Sequence, residues 1–147
     1  MKTICIFVCM ATLACAELSP SGSAVEKIVR WISTQVPPAV STRGTVTRAA
    51  GAAGVKHVVD CVMFEAGATT APAATALTVD LRDGASGAGA ILKQWRITVP
   101  ATTGQHTNTN ICGLGLTGTA ATAMTLEFSA LLTNEFQSVS LTGFDTN

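Results

Sequence analysis

Charged side chains are scarce in this sequence. Lysine and arginine supply nine residues and aspartate and glutamate another nine, so only 12% of the 147 residues are charged and the formal net charge is zero. Ordinary domains carry about twice this share, and a neutral chain has no broad field that steers nucleic acid or an anionic membrane. We therefore predict no nucleic-acid partner, and no membrane partner unless an export signal is present.

The shortage of charge also indicates whether the protein functions as a free monomer or as part of an assembly. Its length suits one domain with a real core. Because soluble monomers usually keep more surface charge for colloidal stability, the shortage favours life inside an oligomer or a particle. A secreted domain with a weakly polar surface is the alternative.

Histidine is also rare, and its two occurrences give no catalytic pattern. A nucleophile near neutral pH needs a base, most often histidine, but His57 lies among apolar strand residues and His106 in a threonine- and asparagine-rich stretch. Glycoside hydrolysis would need two carboxylates at a defined separation, and no spacing in the sequence supplies them. We predict no enzyme, no catalytic residue and no cofactor.

The five cysteines do not form a metal-binding pattern. There is no C-x-x-C pair and no histidine at zinc-site spacing from a cysteine, so no metal is predicted. Cys5, Cys9 and Cys15 lie near the N-terminus, whereas Cys61 and Cys112 lie in predicted strands. We favour buried thiols for the latter two, although an oxidising compartment would favour a bridge.

Residues 1–16 have the three parts of a secretory signal peptide. Lys2 precedes an apolar stretch that is too short to span a bilayer, and Ala14-Cys15-Ala16 forms a small-x-small cleavage site. Two interpretations stay open. In one, cleavage after Ala16 exports the protein to the periplasm or the outside; in the other, the apolar stretch is kept and is buried against neighbouring subunits.

Residues 17–44 predict a short amphipathic helix followed by a linker. Ser23-Ala24-Val25-Glu26 has the form of a capping box, and Pro37-Pro38 ends the pattern before an extended stretch to about Gly44. Four apolar residues follow helical spacing, namely Val25, Ile28, Val29 and Ile32. This stripe packs on its own domain or docks on a neighbouring subunit, and Trp31 at its rim is predicted to contact a partner.

Residues 45–147 alternate between apolar and polar side chains, which is typical of half-buried strands. The expected strands lie at residues 55–64, 76–82, 90–99, 106–114, 123–130 and 134–141, and residues 83–89 form a glycine-rich hairpin turn. A change of parity between Phe136 and Val139 predicts a bulge. Trp95 is predicted to fill the core. We expect an all-β fold, an antiparallel β-sandwich with jelly-roll topology favoured.

Four segments of this region resemble a family of small bacteriophage proteins found among head and tail genes. They are AGAAGVKHVV at residues 50–59, LTVDLRDGASGAG at 77–89, GTAATAMTLEF at 118–128 and QSVSLTGFD at 137–145. The LRDGASGAG element is the most distinctive. The resemblance implies a virion component, such as a head decoration, collar or fibre-attachment protein, and it carries no catalytic residues.

Together these observations predict a structural protein of a tailed phage, located in the virion. It would form a homo-oligomer, with a trimer as the first expectation, and bind major capsid, tail or collar proteins through apolar contacts. The alternative is an exported, lectin-like β-sandwich module with a mature N-terminus at Glu17 and a Cys61–Cys112 bridge. The candidate docking and oligomer contacts are Ile4, Ile6, Phe7, Val8, Val25, Ile28, Trp31 and Ile32.

Overall fold

The computed structural model describes residues 28–35, 42–70, 74–130 and 133–147. These residues form nine strands and no helix. In chain order the strands are β1 (Val29–Thr34), β2 (Thr45–Arg48), β3 (Lys56–Ala68), β4 (Thr75–Asp83), β5 (Ala90–Val99), β6 (His106–Ile111), β7 (Leu116–Thr117), β8 (Met124–Phe128) and β9 (Glu135–Thr146). The predicted contacts Ile4, Ile6, Phe7, Val8 and Val25 lie outside the described residues.

The strands form two antiparallel sheets. Sheet 1 has the order β1-β9-β3-β6, with β7 also paired to β3, and sheet 2 has the order β2-β8-β4-β5. The long pair of β3 and β9 runs from Lys56 opposite Thr146 to Ala68 opposite Glu135. The predicted β-sandwich is confirmed, as is the hairpin of β4 and β5. The jelly-roll topology stays a prediction.

The core lies between the sheets and follows the alternation read from the sequence. In sheet 2, the apolar residues at alternate positions of β4 and β8 belong to the core, and in sheet 1 the apolar residues of β3 and β9 face them. Burying one such side chain contributes about 1.5–3 kcal/mol. The buried residues predicted to point inward are Leu77, Val79, Leu81, Met124, Leu126 and Phe128, with relative exposures of 5% or less.

The predicted helix is wrong wherever the structure describes it. Val29–Thr34 is β1, which pairs antiparallel with β9 from Val29 opposite Asp145 to Thr34 opposite Ser140. The helical spacing was misleading because Ile28 and Ile32 are 57% and 71% exposed rather than packed along one stripe. Pairing with a distant strand overrides a weak local preference. The sandwich therefore includes residues 29–34 and does not begin at 45.

The structure also corrects the prediction for Trp31. It is 8% exposed and belongs to the core, so it does not project from the domain to contact a partner. In an extended strand, successive side chains point to opposite faces, and Trp31 points inward while its neighbour Ile32 points outward. Trp95 is partly buried against the core.

The predicted bulge in the last strand is wrong as well. β9 runs without interruption because Glu135 and Gln137, rather than Phe136, face inward. Gln137 tolerates complete burial because its amide accepts from the Gly44 N–H and donates to the Ala130 carbonyl, each at 2.9 Å. The shift in register lies in β3 instead, between Val59 and Cys61.

The two cysteines of the sandwich form a disulfide, which corrects the expectation of free thiols. β3 and β6 pair with Val62 opposite Ile111, and the preceding Cys61 therefore lies beside the following Cys112. Their Cα atoms are 4.1 Å apart. The bond links β3 at its bulge to the residue after β6, on the outer face of sheet 1.

Candidate functional site

A buried carboxylate lies at the centre of the outer face of sheet 2. Glu127 of β8 is 1% exposed and is bound by two guanidinium groups. Arg43 donates to it at 2.9 Å and Arg82 of β4 at 2.7 Å. Arg82 also reaches Asp80 at 3.0 Å, and Gln94 of β5 donates to Asp80 at 2.7 Å. These side chains form one network across four segments of the chain.

The glycine-rich turn between β4 and β5 covers this carboxylate. Ser86 donates its hydroxyl and Gly87 its backbone N–H to Glu127. Gly89 has φ of +78° and a Cβ there would overlap the Asp83 carbonyl, so the turn needs glycine at this position. The LRDGASGAG element thus contains the turn that covers the buried ion network around Glu127. No phosphate-binding role is needed to explain its glycines.

The chemistry of Glu127 follows from these contacts. Burial on its own would raise the pKa of Glu127, but the hydrogen bonds from Ser86, Gly87 and Arg82 and the charge of Arg43 outweigh burial and lower the pKa below its ordinary value. The carboxylate is therefore held ionised. Its oxygens are fully occupied, which suits a structural anion.

A second cluster ties β1 to the rest of sheet 1. His57 of β3 is 1% exposed; its Nδ1 lies 2.6 Å from the Asp145 carboxylate and its Nε2 lies 2.8 Å from the Ala49 carbonyl. Arg48 pairs with the other oxygen of Asp145 at 2.9 Å. The indole of Trp31 meets the His57 ring edge-on at 5.8 Å and carries Arg48 over its face at 5.5 Å.

This second cluster is also electrostatically closed. Burial would raise the pKa of Asp145, but the hydrogen bonds and charges of His57 and Arg48 together outweigh it and lower the pKa. Both ring nitrogens of His57 have an oxygen partner, the Asp145 carboxylate and the Ala49 carbonyl. Among the described residues, neither nitrogen bonds a hydroxyl or thiol, so the pair lacks the nucleophile of a catalytic triad.

Glu135 is the exception among the buried carboxylates. It is 1% exposed, it faces the core at the start of β9, and neither of its oxygens has a hydrogen-bond partner among the described residues. Burial raises the pKa of Glu135. It is a single acid without a neighbouring titratable partner in the described part of the chain, and those residues contain no group of three or more His, Cys, Asp or Glu side chains placed to hold a metal ion.

The outer face of sheet 1 and its edge at β1 carry exposed apolar side chains, among them Ile32 and Met63. On that face Ile32 lies opposite Thr142, which in turn lies opposite Cys61. The next row brings Thr34, Ser140 and Met63 together. Exposed apolar side chains therefore alternate with small neutral ones. We call the side of β1 that faces away from β9 the β1 edge.

The predicted site residues within the described chain separate into two groups. Ile28 and Ile32 are exposed at the β1 edge, where a partner can reach them, whereas Trp31 is buried. Sequence reasoning missed the ion clusters because their members are far apart in the chain; Arg48 and Asp145 are 97 residues apart. No spacing rule links such residues.

Comparison with known proteins adds little to this description. No protein-family model matches the sequence, and no curated protein matches it. Among solved structures, the chain is similar to the arabinose-bound α-L-arabinofuranosidase MgGH51, with a TM-score of 0.39 and 14% identity over 82% of this chain. The chain spans 23% of that enzyme's length. A likeness this distant carries no functional argument.

None of the described residues forms a helix with the length and apolar character needed to cross a membrane.

Proposed function

We propose that this chain is a non-catalytic structural subunit of a bacteriophage particle, acting through protein–protein contacts as a head decoration, collar or fibre-attachment component. Its β-sandwich would be the rigid unit, and the outer face of sheet 1 with the β1 edge would be the surface that meets neighbours.

The observation that carries this proposal is the use of charge in the fold. Three of the few cations, Arg43, Arg48 and Arg82, are committed to Glu127, Asp145 and Asp80. Charges satisfied inside the domain contribute little to its hydration. The outer face of sheet 1 is correspondingly rich in neutral and apolar side chains, which favours lasting contact with protein over exposure to water.

The arrangement of the segments that resemble phage proteins also supports the proposal. The turn at 83–89 and the stretch at 118–128 are distant in sequence, yet they form one unit. Asp83 accepts from the Thr119 N–H at 2.9 Å, and the Gly84 N–H donates to the Ala123 carbonyl at 2.8 Å. Motifs that depend on each other in three dimensions are better support for a shared family than separate short matches.

The state of the histidines and acids supports a non-catalytic role. His57 is buried with both nitrogens occupied, and Glu127 has several donors on its oxygens. His106 is exposed and lies 3.7 Å from Glu65, a surface pair without a neighbouring nucleophile among the described side chains. A general base needs a free ring nitrogen within reach of the proton that it removes. Both nitrogens of His57 already have partners, and His106 has only Glu65 beside it among the described residues.

One observation favours a second candidate, an exported binding module. The Cys61–Cys112 disulfide is typical of proteins that fold in an oxidising compartment, and the signal-like residues 1–16 would send the chain to one. A lectin-like version of this candidate would need an exposed aromatic platform. Trp31 is buried and Trp95 packs at 5.8 Å from Phe64 in a tilted arrangement, so sugar binding would depend on loops instead.

One experiment on native material separates the two candidates. Particles from the producing culture are banded by density, and the protein is then measured by intact mass without reduction. A structural subunit is expected in the particle band at a fixed ratio to the major capsid protein. Recovery only as a soluble extracytoplasmic protein beginning at Glu17 would overturn the virion role and support the exported module.

A further inference from the structure

We propose that the β1 edge is a self-association edge, to which β1 of a second copy adds in antiparallel orientation across a two-fold axis at Ile32. Sheet 1 would then continue from one copy into the next. This inference rests on the proposed assembly role and deepens it, because it names the first partner and the atoms that recognise it.

The backbone of β1 offers hydrogen bonds on the side away from β9. The Gln35 N–H donates to the Val139 carbonyl at 3.0 Å, which continues the register of β1 with β9. In an antiparallel ladder alternate residues bond the same neighbour, so Trp31 and Ser33 bond β9. Arg30 and Ile32 therefore turn their N–H and carbonyl groups outward, and no backbone bond joins these groups to another described residue.

The edge strands of sheet 2, β2 and β5, are protected more strongly than β1, whose one charged residue is Arg30. Natural edge strands avoid pairing by being very short or by carrying charges and bulges. β2 has four residues, and β5 has Lys93 and Arg96 exposed and a register shift in its pairing with β4. β1 has no bulge and no proline in its six residues, and it exposes Ile32 by 71%. Such an edge strand can pair with a strand of another chain.

The register of a self-pair explains why the partner is a second copy. With the two-fold axis at Ile32, the two Ile32 side chains lie opposite each other, and Arg30 lies opposite the second copy's Thr34. An axis at Arg30 would set two guanidinium groups directly against each other, which is destabilising. The strand is thus complementary to itself in a register that brings apolar groups together and separates its one charge from its copy.

The size of the contact limits its strength. Six residues extend about 20 Å, so the edge alone falls well short of the roughly 800 Å² per partner of a stable complex. The pair is therefore weak in dilute solution and forms where copies are held close together. A subunit of a particle meets this condition because multivalency raises the local concentration.

Disulfide trapping with the full chain tests the register. A directly opposed pair in the bonded register has Cα atoms about 5.5 Å apart, within disulfide range. Ile32→Cys is expected to give a covalent dimer linked between the two positions 32 under mild oxidation. Thr34→Cys is the matched control, since it faces position 30 of the second copy, and it should give no dimer linked between the two positions 34.

Peptide mapping of the trapped product decides the outcome. A link between the two positions 32 supports the inference. A link from position 32 to Cys5, Cys9 or Cys15 of the same chain would overturn it, because this chain's own N-terminal segment would then cover the edge. Equal trapping of Ile32→Cys and Thr34→Cys would overturn the register.

Sedimentation of the full chain with Ile32→Lys gives a second measurement. At protein concentrations high enough for the weak wild-type pair to form, this variant is expected to lose the concentration-dependent dimer, whereas Met63→Lys, on the same face but in a central strand, should keep it. An unchanged dimer in Ile32→Lys would overturn the inference. If the native protein is found in particles but Ile32→Cys gives no link at position 32, the edge pairing fails and the virion role stands; if the native protein is absent from particles, the virion role fails independently.

Discussion

The imidazole of His57 lies 2.6 Å from the carboxylate of Asp145, its register partner near one end of the long β3–β9 ladder. Because Trp31 of β1 meets the His57 ring and Arg48 of β2 binds Asp145, this one contact connects four strands, β1, β2, β3 and β9. Gly143 makes the arrangement possible, since a Cβ there would come within 2.7 Å of the Trp31 ring. The cluster therefore fixes β1 and the edge that it presents.

Low pH should destabilise the fold through Asp145 of this cluster and through Glu127 on the outer face of sheet 2. The folded-state pKa of Asp145 is lowered from an ordinary 3.8 and that of Glu127 from 4.5, so the unfolded chain binds protons first as pH falls. The stability they contribute is fully present above about pH 5 and is lost as pH falls through the lowered folded-state values. We expect the Tm to decline steeply below about pH 4, measured by thermal unfolding across pH 2–7.

Asp145→Asn provides the control for this prediction. It should be less stable than the wild type at pH 7, because a charge-assisted bond is lost, and its Tm should depend less on pH in the acid range. If Asp145→Asn kept the full acid dependence, the Asp145 cluster would not be a source of it.

Glu135 should have the opposite pH dependence. Burial raises its folded-state pKa above 4.5, so its stabilising effect is present below that pH and is lost as pH rises through the folded-state value. At pH 7 the fold holds a buried carboxyl group with no partner among the described residues. Glu135→Met should therefore raise the free energy of unfolding by about 1–3 kcal/mol, measured by urea denaturation.

The comparison for Glu135 is a carboxylate that is not buried. Glu65 has a side chain that is 28% exposed, and Glu65→Met should change the stability at pH 7 far less. The increase in the free energy of unfolding caused by Glu135→Met should be smaller at pH 4, where the wild-type acid is protonated. An equal gain at pH 4 and pH 7 would mean that improved packing, rather than the removal of charge, stabilises the variant.

Alternation predicted the strands whose inward residues are all apolar. Leu77, Val79 and Leu81 in β4 are an example, because apolar residues at every second position indicate a half-buried strand. In the last strand it predicted a bulge that is absent, because polar residues face inward there. Glu135 and Gln137 resemble surface residues in the sequence, and the burial of Gln137 depends on Gly44 and Ala130, which lie in other segments.

The helix prediction failed for a different reason. The spacing of Ile28 and Ile32 fits a helix, but the deciding interaction is a ladder with β9, more than 100 residues away. Local pattern carries no information on such pairing. The same limit applies to the candidate site: the exposure of the isoleucines agrees with a contact role, while the burial of Trp31 follows from His57, Arg48 and Gly143.

The disulfide should contribute strongly to stability. Cys61 and Cys112 are 51 residues apart, and closing a loop of this size in the unfolded chain stabilises the fold by about 4 kcal/mol in the chain-entropy description. Cys61→Ala combined with Cys112→Ala should lower the free energy of unfolding by that order. Urea denaturation with and without a reductant checks it: the reductant should destabilise the wild type and leave the double variant unchanged.

Two truncations test where the sandwich begins. Removing residues 1–27 leaves β1 and its inward Trp31 in place, so the remaining chain should unfold at the wild-type temperature. Removing residues 1–36 takes β1 away, exposes the His57–Asp145 cluster and deletes a buried tryptophan, a loss comparable to a large core truncation of about 3–5 kcal/mol. The two products differ by nine residues, so the shorter deletion is the control for the longer one. Equal thermal stability of the two would show that β1 is dispensable to the sandwich, in conflict with its pairing to β9 and the burial of Trp31.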